Sequence, residues 1–303
     1  MHTDQFLVRI WGARGSYPTP GRKTIRYGGN TTCVELQIGG HTLVIDAGTG
    51  IINLGQDMVR RSKDANNKPI VATILLTHMH HDHTQGFPYF LPAYLGSSVL
   101  HILGPRTFDE EIEEALNHAV LPPSFPVSLH EMPSLKVVRT LQETEMILIT
   151  EDHDYPQIYN VYQDNVQPSS DMICIRVLKS YAHPRNGVYF YRIEWHGKSM
   201  VFASDTEGYI DTDQRLVNFA RNTDLIIHDA QYTRDEYASS KQGWGHSTPE
   251  MACEVAKQCK AKQLVLFHHD PRHSDDQIAA IEQEAQAMFA DTVAAYEGLE
   301  MVL

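Results

Sequence analysis

The sequence predicts an α/β fold, and three features point to it. Strand-like and helix-like stretches alternate, and each half of the chain begins with strands. Ile70–Leu76 is an unbroken apolar run with the length of a buried strand. Late in the chain Ser247 stands three residues before Glu250, the spacing of a capping box, and opens an amphipathic helix.

Taken in order, Phe6–Trp11, Cys33–Ile38 and Thr42–Ile45 read as strands, separated by Gly/Pro-rich turns such as Ser16–Gly21 and Gly39-Gly40. Ile51–Arg61 has helical character, and the strand Ile70–Leu76 follows. Phe108–His118 reads as an amphipathic helix with acidic residues on one side. In the second half, Ile173–Leu178, Val188–Trp195, Ser199–Ala203, Leu225–His228 and Gln263–Phe267 read as strands. The helix between the last two places Met251, Ala252, Val255, Ala256 and Cys259 on one face. There is no short-period repeat and no low-complexity linker, so 303 residues accommodate one elaborated domain as readily as two. Glu151–Asp171 stands apart, with five acidic residues, three tyrosines and no Lys or Arg. A solvated surface excursion is its plainest reading; an inserted loop near a site mouth or a dimer contact are the others.

Hydrophobic content of 42% and charged content of 21% are those of a folded globular protein. The formal charge of −13 argues against long nucleic acid as a partner, which wants a basic stripe. Cys33, Cys174, Cys253 and Cys259 form no CxxC pair and suit a reduced compartment. With no signal-like N-terminus and no apolar run of about 18 residues, a cytoplasmic protein without a membrane span is expected.

The chemistry gathers behind the strand Ile70–Leu76. Thr77 is followed by His78-Met79-His80-His81-Asp82-His83, the pattern H-x-H-x-D-H. Two histidines at i and i+2 on a chain leaving a strand can point the same way and share one metal. Asp82 and His83 can face a second ion as the chain turns, and imidazole with carboxylate suits zinc, and also manganese or iron. His81 occupies an intervening position and is expected in solvent.

This motif, with the preceding Asp46-Ala47-Gly48, resembles the signature of the metallo-β-lactamase fold. The resemblance implies an αββα four-layer sandwich of two similar halves, here a single domain over residues 1–303; the segment 151–171, a candidate insertion, does not map onto the family pattern. Histidine at position 80, where flavodiiron oxidoreductases carry glutamate, sides with the hydrolases. Carried over position by position, the family pattern makes His183 the third ligand of the first ion. Asp205 becomes the bridging carboxylate, and His268 the last ligand of the second. His269 competes with His268, but the L-x-L-x-H pattern selects the latter. His101, His118, His130, His153 and His196 lack such context and are expected to be structural.

Asp224–Thr233, DLIIHDAQYT, and Gly243–Pro249, GWGHSTP, resemble paired motifs of the phosphodiesterase branch. That branch includes transfer-RNA 3′-processing endonucleases and cyclic phosphodiesterases of phosphonate metabolism. The resemblance implies that Asp229 orients His246, which protonates a leaving alkoxide. His246 also lies just ahead of a capped helix, where free N–H groups favour an anion. The Gly-rich run Trp11–Gly21 and the segment Arg26–Thr31 resemble the same branch. Arg14 and Asn30 are candidates for substrate contact or for turn structure.

The resemblance thus implies two divalent metal ions, zinc foremost. His78, His80 and His183 would hold one, Asp82, His83 and His268 the other, and Asp205 both. Asp82 counts with Asp229 and His246 among the catalytic groups. Attack of a metal-bridging hydroxide on a small phosphodiester, a cyclic nucleotide or cyclic ribose phosphate among them, is the implied reaction, and a homodimer the implied assembly. A lactone or thioester hydrolase and a non-catalytic metal-binding sensor or interaction module are the alternatives. The chain lacks the basic, Gly/Pro-rich arm of the transfer-RNA endonucleases, which counts against transfer RNA as substrate.

Overall fold

The computed structural model describes residues 5–107, 110–121, 125–150, 153–208 and 212–303. Phe6, Val8 and Ile10 are buried while Arg9 and Trp11 are partly exposed, the period of two expected of a strand with one core face. That strand, β1 (Phe6–Gly12), is followed by β2 (Cys33–Ile38), β3 (His41–Ile45), helix α1 (Gly50–Asp64), β4 (Val71–Leu75), the single turn α2 (His81–Thr84), β5 (Val99–Pro105), α3 (Ile112–Ala119) and β6 (Leu135–Leu141). Next come β7 (Glu145–Thr150), β8 (His153–Asn160), β9 (Ile173–Ser180), β10 (Val188–Trp195), β11 (Lys198–Ala203), α4 (Gln214–Phe219), β12 (Leu225–Asp229), α5 (Arg234–Glu236), α6 (Pro249–Cys259), β13 (Gln263–Phe267), α7 (Asp275–Met288), β14 (Thr292–Ala294) and β15 (Glu300–Val302).

Two sheets result, in the orders β15-β1-β2-β3-β4-β5-β6 and β14-β13-β12-β11-β10-β9-β7-β8. Each repeats one plan. β1, β2 and β3 pair antiparallel, then β3 to β6 run parallel. β9, β10 and β11 likewise pair antiparallel, then β11 to β14 run parallel.

The sheets face each other across one apolar core, with Phe6, Ile10, Leu36, Ile45 and Leu75 from the first and Ile175, Tyr191, Phe202, Ile227 and Phe267 from the second. α1 and α3 cover the outer face of the first sheet through Ile51, Leu54 and Leu116. α4, α6 and α7 cover the second through Leu216, Val255, Ala256 and Ile281. This is the αββα layering expected. The parallel strands present their carboxyl ends along one rim, where α/β folds place ligands.

Some expectations are corrected. α6 does not start at Ser247: Thr248 is the N-cap, accepting from Met251 N at 3.4 Å, and Pro249 is the first helical residue. Proline fixes its own φ and lacks an N–H, so it fits the first helical position and moves the cap to its neighbour. Ser247 Oγ instead donates to Thr206 O at 2.6 Å. On α6 Met251 is only partly buried, while Cys253 joins the core. The helix expected from Phe108 begins at Ile112, behind a capping box of Glu111 and Glu114. Phe108 lies outside the described residues.

The acidic segment is not a plain loop. Glu151 and Asp152 lie outside the described residues, but 153–160 form β8, the edge of the second sheet, paired with β7. Beyond it Asp164 Oδ2 accepts from Asn160 N at 2.7 Å, closing a turn. None of its described residues lines the cavity over the histidine cluster, because β8 sits at the far edge of its sheet. No helix among the described residues is long and apolar enough to cross a membrane.

Candidate metal centre

β4 ends at Leu75, and the chain runs through Thr77 to His78 and His80 before α2 turns Asp82 and His83 inward. Asp46, at the end of β3, holds this bend together. It accepts from Thr77 N at 2.8 Å, from Thr77 Oγ1 at 2.9 Å and from His83 Nδ1 at 2.7 Å. The last bond keeps a proton on His83 Nδ1 and turns Nε2 toward the cluster. Gly48 allows the crossing, since a Cβ there would stand 2.2 Å from Asp82 O.

The second sheet supplies the rest. Asp205 follows β11, His183 precedes β10 and His268 follows β13. Donor atoms of His78, His80 and His183 all lie within 4.8 Å of one another, as do those of Asp82, His83, Asp205 and His268. Asp205 lies between the sets. Its Oδ1 is 3.8 Å from His78 Nε2, 3.7 Å from His183 Nε2 and 3.3 Å from His268 Nε2, and its Oδ2 is 3.2 Å from His83 Nε2. Asp46, Asp205 and His268 all have left-handed backbones, with φ of 62°, 59° and 63°.

Asp229, at the end of β12, accepts from His246 Nδ1 at 2.7 Å, from Ser247 N at 3.0 Å, from Gln231 N at 3.1 Å and from Asp205 N at 3.1 Å. Asp205, Asp229, His246 and His268 also approach one another within 4.8 Å. The four hydrogen bonds occupy the Asp229 carboxylate, so it orients its neighbours rather than offering itself to an ion. The His246 ring stacks on His268 at 4.9 Å and meets His183 edge-on at 5.0 Å.

The two donor sets differ electrostatically. Burial pushes His78 well below the ordinary imidazole value, and His83 adds to it. Burial, with His183 nearby, brings His80 down to about 4, and burial also lowers His183. In the other set burial would lower His83 and His268, but carboxylates outweigh it. Asp205, Asp82 and Asp46 raise His83 well above its ordinary value, and Asp205, Asp82 and Asp229 raise His268 to about 9. Reciprocally, burial would raise Asp82 and Asp205, yet the neighbouring histidines hold both well below the usual carboxylate range.

All of the residues expected to ligate or to catalyse, His78, His80, Asp82, His83, His183, Asp205, Asp229, His246 and His268, come together on this rim. His81 is exposed, as its position suggested. His269 faces elsewhere, its Nε2 bonded to Ala295 O at 2.9 Å. Arg14 is fully buried, donating to Gly28 O, Asp270 O and His273 O, so it is structural, and Asn30 is tied to Glu297. His118, expected to be structural, lines the cavity instead, because α3 leans over the rim.

Several supporting residues escape sequence reasoning. Gln231 Oε1 lies 2.9 Å from His268 Nδ1 and turns that ring toward Asp82. Ser16 N donates to Asp82 Oδ2 at 2.7 Å. Asp46 was visible only as part of a turn, and its grip on His83 was not. The one available signal was its place at the head of the D-x-G motif.

Among the described residues of this cluster, His78 Nε2 and His83 Nε2 are buried without a hydrogen-bond partner of good geometry. Buried polar atoms are normally satisfied, and orphaned imidazole nitrogens pointing at carboxylates are what divalent cations with N/O ligands fill. The donor set therefore fits bound metal.

The Beta-lactamase superfamily domain matches residues 41–269. Ribonuclease Z of Pyrococcus abyssi is 28% identical over 289 residues, covering 88% of this chain and 87% of its own length. Among solved structures, a metallo-β-lactamase fold protein from Bacillus subtilis superimposes with a TM-score of 0.67 at 20% identity, covering 99% of this chain and all of that one. The short form of human tRNase Z follows with a TM-score of 0.63 at 20% identity, covering 97% and 98%. Both structural matches show the same fold. The domain match takes in most of the chain and its rim of histidines and aspartates, and the protein belongs to the beta-lactamase superfamily.

Proposed function

We propose that this chain, a metal-dependent phosphodiesterase, hydrolyses a small phosphodiester, with His246 as the group that protonates the leaving oxygen. The pairing of His246 with Asp229 at 2.7 Å carries this reading. It gives the cavity a hydrogen-bonded imidazole beside the metal donors, one that a lactone or thioester hydrolase would leave without a task. The ribonuclease Z relatives, whose name denotes cleavage of a phosphodiester, support the same chemistry.

In this reading His78, His80 and His183 hold one divalent ion, Asp82, His83 and His268 the other, and Asp205 faces both. Zinc is the first choice for such donors, with manganese or iron next. The ions, when bound, supply Lewis acidity toward water and phosphoryl oxygens. Asp229 keeps the His246 proton at Nδ1, so that a second proton at Nε2 can pass to the departing alkoxide as the P–O bond breaks. Arg106 and Arg185, exposed in the same cavity, bring positive charge to an otherwise acidic protein. The charge of −13 favours a small diester over transfer RNA. Four free, buried cysteines suit the cytoplasm; homodimerisation is carried by the family resemblance alone.

The test is hydrolysis of an aryl phosphodiester by metal-loaded protein, with Asp205→Ala as control and precursor transfer RNA as competitor substrate. His246→Ala should retain metal yet lose activity about 10²–10⁴-fold. The loss should be greater for a nucleoside leaving group, a poor one that needs its proton, than for p-nitrophenolate. Equal loss on both would remove His246 from the acid role. No turnover by protein holding two ions would move lactones and thioesters to the front.

A further inference from the structure

Gly243-Trp244-Gly245 precedes His246, and neither the fold nor the metal centre accounts for its exposed indole. Trp244 is 55% exposed, yet it lines the same cavity of about 920 Å³ as His80, His183, Asp205 and His246. A single exposed aromatic is ordinary; the way this one is held is not. Glu207, only 3% exposed, accepts from Gly243 N at 2.7 Å and from Gly245 N at 2.9 Å, gripping the backbone on both sides of the ring. Its Oε1 also accepts from Tyr237 Oη at 2.7 Å.

The loop is tied to the metal donors as well. Gly245 O accepts from His183 Nδ1 at 3.0 Å. Gly245 has a φ of 85°, and a Cβ there would stand 2.5 Å from that same Nδ1, so no larger residue fits without moving His183. The Lys241 ammonium lies 3.5 Å from the Trp244 ring centroid and braces one face. A buried carboxylate and a tightly packed glycine thus fix an exposed indole within two residues of His246.

We propose that Trp244 is a specificity-determining platform on which a flat aromatic group of the substrate stacks, so that the phosphodiester taken here carries a nucleobase. The proposal rests on the phosphodiesterase reading and names its substrate class. Rigid aromatics bind bases at little entropic cost, and every base offers a π-face. With Lys241 on one side of the indole, the base lies on the other, and its phosphate reaches toward the rim where Arg185 also lies.

The experiment compares two probes on metal-loaded full-length protein by calorimetry, adenosine 5′-monophosphate and ribose 5-phosphate. The native protein should bind the first roughly tenfold or more tightly than the second. Trp244→Ala should bring that ratio close to one, and Trp244→Phe should restore most of it. In turnover, the ratio of kcat/KM for a 2′,3′-cyclic nucleotide over a base-free cyclic ribose phosphate should fall likewise, chiefly through KM. Adenosine 5′-monophosphate bound no more tightly than ribose 5-phosphate overturns the platform, as does a ratio unchanged in Trp244→Ala. Failure of the phosphodiesterase reading shows differently, as no turnover of either diester, and the binding ratio then still decides the platform.

Discussion

The two donor sets on the rim are neighbours, yet their imidazoles hold protons to opposite degrees. His78 and His183 are buried while His80 opens to the cavity, and lost hydration with mutual repulsion lowers all three imidazoles. His83 and His268 are fully buried, but Asp82, Asp205, Asp46 and Asp229 surround them and hold protons on. The first set is ready for a cation as folded. The second, while empty, uses protons to balance its carboxylates, and an ion must displace them. What separates the sets is carboxylate count: the second set is the deeper one, yet it keeps its protons.

Asp205→Ala would erase the distinction and should have the largest effect. The shared carboxylate faces both sets, so metal content measured by mass spectrometry should fall at both sites. Aryl phosphodiesterase activity should drop by more than the roughly 100-fold that losing an orienting neighbour costs. Retention of two ions would show that Asp205 is not shared.

Asp46→Ala should act on one set alone. His83 would lose the acceptor that fixes its tautomer, and the carboxylate-containing set should bind zinc about 10–100-fold more weakly. The all-histidine set should keep its affinity in the same competitive-chelator titration. Equal weakening of both sets would contradict the division drawn here.

Proton release sharpens the contrast. At pH 7, filling the all-histidine set should release almost no protons, because His80 is protonated only below about 4. Filling the other set should release about one from His268, whose value is about 9, and one from His83. Calorimetry in buffers of different ionisation enthalpy reads these numbers directly, and equal release from both sites would break the comparison.

The metal-free protein should show the same opposition in its stability. Between about 4 and the ordinary imidazole value of 6.5, the unfolded chain binds the proton that folded His80 refuses, so stability rises with pH. Between 6.5 and about 9 folded His268 holds a proton that the unfolded chain has lost, so its contribution falls as pH rises. Tm of chelated protein should therefore peak near neutrality, and saturating metal should flatten the high-pH limb first. The smallest effect belongs to His269→Ala, which leaves Ala295 O unpaired and should cost about 1–3 kcal/mol in chemical denaturation without changing metal content.

Much of this centre was legible because its chemistry is compressed into few residues. His78 to His83 sit together at the exit of one buried strand, and residue type with spacing suffices there. His183, Asp205 and His268 were placed only through the family resemblance, each beside a strand end. What stayed hidden acts across long separations through residues of no special chemistry. Gln231 is 37 positions from His268, Asp46 is 37 from His83, and Glu207 is 36 from Gly243. An amide or a turn aspartate announces nothing until the fold brings its partner near. The start of α6 was misplaced for a local reason, since Ser247 and Thr248 are both good caps and only Pro249 decides between them. Strand β6 was missed because its residues alternate between exposed and partly buried, with little apolar signal.

The left-handed backbone at His268 sets stability against function. An L-residue there costs about 1–2 kcal/mol relative to the relaxed helical or extended regions, and glycine pays almost none of it. Comparing His268→Gly with His268→Ala cancels the lost imidazole and isolates the backbone, and the glycine protein should be the more stable by about that amount. On backbone grounds alone glycine is the sturdier choice here, so in the two-ion reading the ligand at this position is held at a cost to the fold.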